Sequence, residues 1–177
     1  MHLFIMRQSD GVKMPIKPEK YNPTLYHYNM SYEEYEKVPK LAVAYYKHYE
    51  NTEFPGIIKE PVFMISNELK KLVLLYDEEI LCKGLQIYDD RLEESNIQSH
   101  LYWTMGVKEY DCIHDETTFF PNGSMDKLIL DKKKIPPKDI FKVLGILEER
   151  IIVSEAVVES ILRRYIYGID FEEVTIK

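Results

Sequence analysis

The sequence is poor in the features that announce most chemistries. Its 177 residues include only two cysteines, Cys82 and Cys112, thirty positions apart and in no Cys-x-x-Cys pair. They make neither a disulfide framework nor a zinc-ribbon spacing, and the expectation is two reduced, at least partly buried thiols. Glycine is scarce, seven in all, and no Gly-x-Gly-x-x-Gly or Gly-x-x-x-x-Gly-Lys occurs, which argues against a backbone cradle for phosphates. Gly-x-Ser-x-Gly and His-Glu-x-x-His are missing too. No apolar run approaches the roughly 20 residues that span a bilayer. The opening Met1–Arg7 reads as a first strand, not a signal peptide, so a cytoplasmic location is expected. The glycosylation triplets at Asn29 and Asn122 carry no weight without secretion. Basic charge is in deficit: 23 Lys and Arg against 30 Asp and Glu give a net charge of −7. General nucleic-acid binding needs the opposite sign.

What is present begins with two similar units. Ile151-Ile152-Val153 is a β-branched run, and Ser154 is a natural N-cap with Glu155 in the first helical turn. Val157, Val158, Ile161, Leu162 and Tyr165 recur at helical spacing, so all five are expected on the inward face. Gly168 is the expected helix stop, before the alternating strand Ile169–Glu172. A weaker copy runs from Val62–Ile65 through Ser66 to a helix with Leu69, Leu72, Val73 and Tyr76 inward, then Gly84 and a strand, Leu85–Ile87. Only Ser66/Ser154 and Leu74/Leu162 are identical in the aligned register, so duplication stays open.

Before the first unit, Leu3–Met6 predicts a strand and Asp10-Gly11 a turn. Ser31 and Glu34 form a capping box, with Ser31 the N-cap. Leu41, Ala42, Tyr45, Tyr46 and Tyr49 read at helical spacing, giving a kinked helix interrupted at Pro39 and ending near Asn51. Eight of fourteen tyrosines lie here (Tyr21, Tyr26, Tyr28, Tyr32, Tyr35, Tyr45, Tyr46 and Tyr49). Such rings suit packing on a sheet edge as well as partner contact, and Tyr45 and Tyr49 are the candidate contacts. Between the units, Leu101–Met105, Tyr110–His114, Leu128–Leu130 and Ile140–Val143 read as strands, with Trp103 near the core. Phe119-Phe120-Pro121-Asn122-Gly123 holds a turn. Strands come in runs, not in alternation with helices. The expected class is therefore α+β, with a mixed or mainly antiparallel sheet and a Tyr-rich helical segment in residues 1–60 packed on a main domain of 61–177.

Charge is concentrated between Asp77 and Asp126, where twelve acids face only Lys83, Arg91 and Lys108, a local balance of −9. Asp89, Asp90, Glu93, Glu94, Asp111, Asp115 and Glu116 are the candidate contacts for a basic partner, which complementary potential would steer. The one polar constellation is Asp111-Cys112-Ile113-His114-Asp115-Glu116. On a strand, Cys112 and His114 share a face and Asp111 points away. With His100 they define an alternative reading, a small metal-dependent enzyme, although two ligands do not make a site. A third reading is a self-associating structural protein, built on the tyrosine-rich segment. No metal, cofactor or catalytic residue is expected, and the oligomeric state is not legible.

From Val62 to Val174 the order of elements resembles the bacterial immunity proteins of polymorphic toxin systems, specifically immunity family eleven, long known only as a domain of unknown function. Phe141, the Ser154-Glu155 junction, Gly168 and Phe171 fit its recurrent positions; the central strand departs, with His114 and Thr117 or Thr118 near an acid–serine pattern. The resemblance implies a protein that binds a cognate toxin by stoichiometric occlusion, with no catalytic residues of its own.

Overall fold

The computed structural model describes residues 1–20, 30–91, 98–148 and 150–177. Tyr21, Tyr26, Tyr28, Glu93 and Glu94 lie outside them. Among the described residues are three helices and fourteen strands, an α+β fold that is mainly sheet. The N-terminal half contains β1 (Leu3–Gln8), α1 (Tyr32–Glu36), β2 (Leu41–Tyr46), β3 (Ile57–Ile58), β4 (Met64–Ser66), α2 (Asn67–Tyr76) and β5 (Leu81–Asp89). Next come β6 (Ser99–Gly106), β7 (Glu109–Tyr110), β8 (Thr118–Phe119), β9 (Met125–Lys127) and β10 (Ile129–Leu130). The chain closes with β11 (Ile140–Val143), β12 (Ile151–Ser154), α3 (Glu155–Arg163), β13 (Ile169–Glu173) and β14 (Thr175–Ile176).

Two five-stranded sheets carry the fold, ordered β13-β1-β12-β11-β7 and β2-β5-β6-β4-β3. They share one design. In each, a short strand pairs antiparallel with the strand that launches the helix: β3 with β4, β11 with β12. In each, the strand after the helix is separated from the launching strand by one strand antiparallel to both, β6 in one sheet and β1 in the other. The match extends to register. With Ser66 aligned to Ser154, the pairs Ile57–Ile65 and Ile58–Met64 correspond to Ile140–Val153 and Phe141–Ile152. The Ser66 amide donates to Gly56 O, and the Ser154 amide to Asp139 O. The difference is permutation, because β6 follows β5 directly whereas β1 comes from the start of the chain. Residues 1–8 are thus an inner strand of the C-terminal sheet.

Strand alternation places every second side chain on each face. Ile57, Ile65, Met105, Met6, Ile140, Ile151 and Val153 point to a common core with Leu69, Leu72 and Val73 of α2 and Val157, Val158 and Ile161 of α3. The two helices meet there, and Tyr76 of α2 donates its hydroxyl to Ala156 O of α3 at 2.9 Å. The outer face of one sheet (Met64, Leu85, Ile87, Tyr102) is covered by Ile16, Tyr35 and Val38. That of the other (Leu3, Ile5, Phe141, Ile152) is covered by Cys112, Met125, Leu130 and Val174. Trp103 is half-buried against the common core, with its indole donating to Asn67 and Lys70 Nζ 3.4 Å from the ring centroid.

Several expectations are corrected. The helix predicted through Tyr49 stops at Glu36, and residues 41–46 form β2, parallel to β5. Val38 precedes Pro39 and is disfavoured in helical backbone, which ends the helix; Ala44 and Tyr46 then alternate inward as strand residues. Gly84 is not a turn but lies within β5, opposite Trp103. The strand expected at Tyr110–His114 ends at Tyr110, leaving Ile113 a single bridge to Leu130. Leu162 of α3 and Tyr165 just beyond it are exposed, Tyr165 by 91%: the buried stripe of the helix is limited to Val157, Val158 and Ile161, and Tyr165 has already left helical backbone.

The caps divide similarly. Ser31 forms the full capping box, and Ser66 accepts from the Leu69 amide at 3.3 Å. Ser154 occupies the N-cap position but its hydroxyl makes no cap bond; it donates instead to Asp139 Oδ1 at 2.6 Å. The left-handed residue after α3 is Tyr165 (φ 53°), so Gly168 does not stop the helix. Gly168 (φ 79°) is needed for close approach, since a Cβ there would fall 2.4 Å from Pro55 Cβ.

Candidate functional site

Among the described residues, many acids of the stretch are taken up in pairs with basic or hydroxyl side chains. Glu79 accepts from Lys108 at 2.8 Å and Lys138 at 2.6 Å, which hold its carboxyl down at about 2, and Asp77 also binds Lys138. Glu109 pairs with Lys142, Glu116 with Lys177, and Asp126 accepts from Thr118. Lys138, Lys142 and Lys177, imported from outside the segment, thus offset about a third of the local excess of −9. Asp89 is a correction: it is 3% exposed, gripped by the Arg91 guanidinium, with His48 Nδ1 3.4 Å away. The Arg91 hydrogen bonds depress its carboxyl to about 2. It holds the end of β5 together and does not face a partner. Asp90, Asp111 and Asp115 remain exposed without an ion pair among the described residues.

Asp111 and Asp115 lie on the segment that leads into the β8–β9 hairpin. Its Phe-Phe-Pro-Asn-Gly turn is closed by Gly123 N donating to Phe120 O and Phe120 N donating to Ser124 O, while Asn122 Oδ1 accepts from Ser124. A two-residue strand at the molecular surface cannot bury both of its faces. Phe119, at the end of β8, is 44% exposed, Phe120 in the turn 51%, and Leu147 beside the turn 55%. The hairpin is nonetheless firmly seated. Met125 is in the core, its amide donates to Glu148 at 2.9 Å, and Thr117 both accepts from and donates to the Ile129 backbone. Exposed aromatic rings on a fixed support have the composition of an interaction hot spot, and exposed carboxylates on the segment leading into it suit a polar rim.

The alternative constellation is not assembled. Cys112 is fully buried, and burial pushes its thiol up to about 11, away from nucleophilic character. His114 turns back to accept from the Glu116 amide. His100 belongs to the other sheet, stacked on Phe54 with centroids 4.0 Å apart, and burial lowers its pKa. Among the described residues no three His, Cys, Asp or Glu side chains could hold a metal ion. Nor is any helix among them long and apolar enough to cross a membrane. Tyr45 is half-buried beside Tyr88 at 6.2 Å, and Tyr49 is exposed.

Sequence reading passed over Phe119 and Phe120 as part of a turn. The available signal was two adjacent aromatics against a Pro-Asn-Gly turn, too short a strand to hide both. It also passed over Lys13, Lys17, Lys47 and Lys59, which only the fold brings together. No protein-family model matches the chain, and no curated protein matches it either.

Proposed function

We propose that this chain is a binding protein of the immunity type, which neutralises a cognate protein toxin by covering its working surface. The observation that carries the reading is the seated hairpin with Phe119 and Phe120 exposed, preceded in the chain by the exposed Asp111 and Asp115. Buried aromatics supply most of the affinity in such interfaces, while charge mainly accelerates encounter with a basic partner. The occlusion mechanism needs no catalytic group, which suits a chain whose cysteines are sequestered and whose histidines are dispersed.

The test is co-expression with the product of the neighbouring gene, followed by co-purification and growth rescue. A stoichiometric complex that restores growth supports the proposal. A neighbour that is not toxic, or is toxic and neither bound nor rescued, contradicts it.

A further inference from the structure

A protein of net charge −7 gathers four lysines around one cavity of about 280 Å³. Lys13 and Lys17 flank Ile16, whose segment is laid against residues 52 and 53: Ile16 N donates to Glu53 O, Glu53 N to Met14 O, and the Glu53 carboxylate accepts from the Lys13 and Met14 amides. Lys47 follows β2, and Lys59 follows β3, with its amide donating to Gln8 at 3.0 Å. Ile16 and Ile58 are buried beneath, and Tyr49 lines the side. Among the described residues of the lining, Glu19 and Glu60 are the acids that accompany the four lysines. Lys13, Lys17 and Lys47 form no salt bridge among the described residues; Lys13 Nζ donates to the Asp10 carbonyl, and its charge is felt by the nearby Glu53 carboxylate.

The cavity adjoins a second, of about 350 Å³, through the shared Gln8, Lys59 and Glu60. Arg7 and Arg150 line the second one together with Glu148. Arg7 Nε, Arg150 Nε and Glu148 Oε2 are shielded from solvent and have no hydrogen-bond partner among the described residues, although Arg7 donates through its Nη1 to Asp10, which also lines the cavity. All three belong to residues that line this cavity, and buried polar groups in proteins are usually met by protein, an ordered water, an ion or a ligand. The second volume lies at the lower end of the range of small-molecule sites and the first just below it; such sites join apolar walls to a few convergent polar groups.

We propose that the paired cavities bind a small anionic organic molecule. Its phosphate or carboxylate is held by Lys13, Lys17, Lys47 and Lys59, its flat or apolar body lies against Tyr49, and its polar remainder reaches Arg7, Arg150 and Glu148. The cavities do not include Phe119 or Phe120, although Glu148 touches both regions, since its Oε1 accepts from the Met125 amide of the hairpin.

Calorimetric titration of the full chain with adenosine 5′-monophosphate, glutarate, inorganic phosphate and adenosine tests it. Saturable binding of an anionic probe with Kd at or below about 1 mM is expected, with adenosine silent. Binding by the mononucleotide but not glutarate assigns a phosphate ligand, and the reverse a carboxylate ligand. Removing charged hydrogen-bond donors should cost about tenfold each, so K17Q/K47Q should weaken binding about a hundredfold. Both lysines are exposed, and an unchanged thermal melt verifies folding. R150Q should weaken the larger probe while leaving inorganic phosphate unaffected, and F119A/F120A should leave both unaffected. Absence of saturable binding by every anionic probe, or unaltered affinity in K17Q/K47Q, overturns the proposal.

Discussion

Replacing Gly168 with alanine should be far more damaging than replacing Gly123, although the two glycines hold nearly the same backbone conformation. Their φ values are 79° and 83°. Left-handed backbone costs an alanine about 1–2 kcal/mol at either site. The surroundings differ. A Cβ on Gly123 would find only Leu147 Cδ1, at 3.4 Å, the movable end of an exposed side chain. A Cβ on Gly168 would meet Pro55 Cβ at 2.4 Å, Val12 Cγ2 at 2.9 Å and Pro55 Cα at 3.2 Å. Pro55 cannot swing aside: the next residue, Gly56, donates to Tyr167 O at 2.6 Å, and Ser9 donates to Gly168 O at 3.0 Å, knitting three segments together. Overpacking of this kind adds about 1–3 kcal/mol. G168A should therefore lose about 2–5 kcal/mol and G123A about 1–2 kcal/mol. With an m-value of roughly 2 kcal/mol/M in urea, the midpoints should fall by about 1–2.5 M and about 0.5–1 M. Equal midpoint shifts would refute the packing component and leave backbone conformation as the whole effect.

Two further predictions concern charge. K142A, which leaves Glu109 without its 3.1 Å partner between β11 and β7, should destabilise by about 3 kcal/mol, and K142M/E109M should regain most of it in urea denaturation; a double variant no better than K142A would count against the pair. Asp89 is held at about 2, below the ordinary carboxyl range, by the Arg91 hydrogen bonds, with His48, His100 and Tyr46 nearby. A lowered folded-state pKa contributes stability that is present above about pH 4 and lost as pH falls toward 2. D89N should thus cost about 1–2 kcal/mol at pH 7, with solvent screening allowed for, and the gap from wild type should close at pH 2.5; a pH-independent gap would show that shape, not charge, is what Asp89 supplies.

The two strand–helix units were legible because their signals are local: β-branched runs, a serine at each junction and apolar spacing of 3.6. Their equivalence was only hinted at by Ser66 and Ser154, because the matching lies in pairing partners, Ile57 and Ile140, distant from the units themselves. The inward placement of β1 was not legible, since strand order depends on contacts 150 residues apart. The 41–46 segment misled because Leu41, Ala42, Tyr45 and Tyr46 satisfy both periods, and the parallel partner β5 decided between them. Acid counting misled at Asp89 and Glu79 for the same reason: the cations that satisfy them come from Arg91, Lys108 and Lys138, and only tertiary structure assigns them.

Most direct for the central claim is the binding isotherm of the purified chain with the neighbouring gene's product, measured for wild type, F119A/F120A and D111K/D115K. Loss of hot-spot aromatics costs about 2 kcal/mol or more each, so F119A/F120A should bind at least about a hundredfold more weakly. D111K/D115K should slow association about tenfold or more at low salt with a smaller effect on dissociation. Wild-type affinity and association rate in both variants would contradict the assignment of the hairpin as the neutralising face.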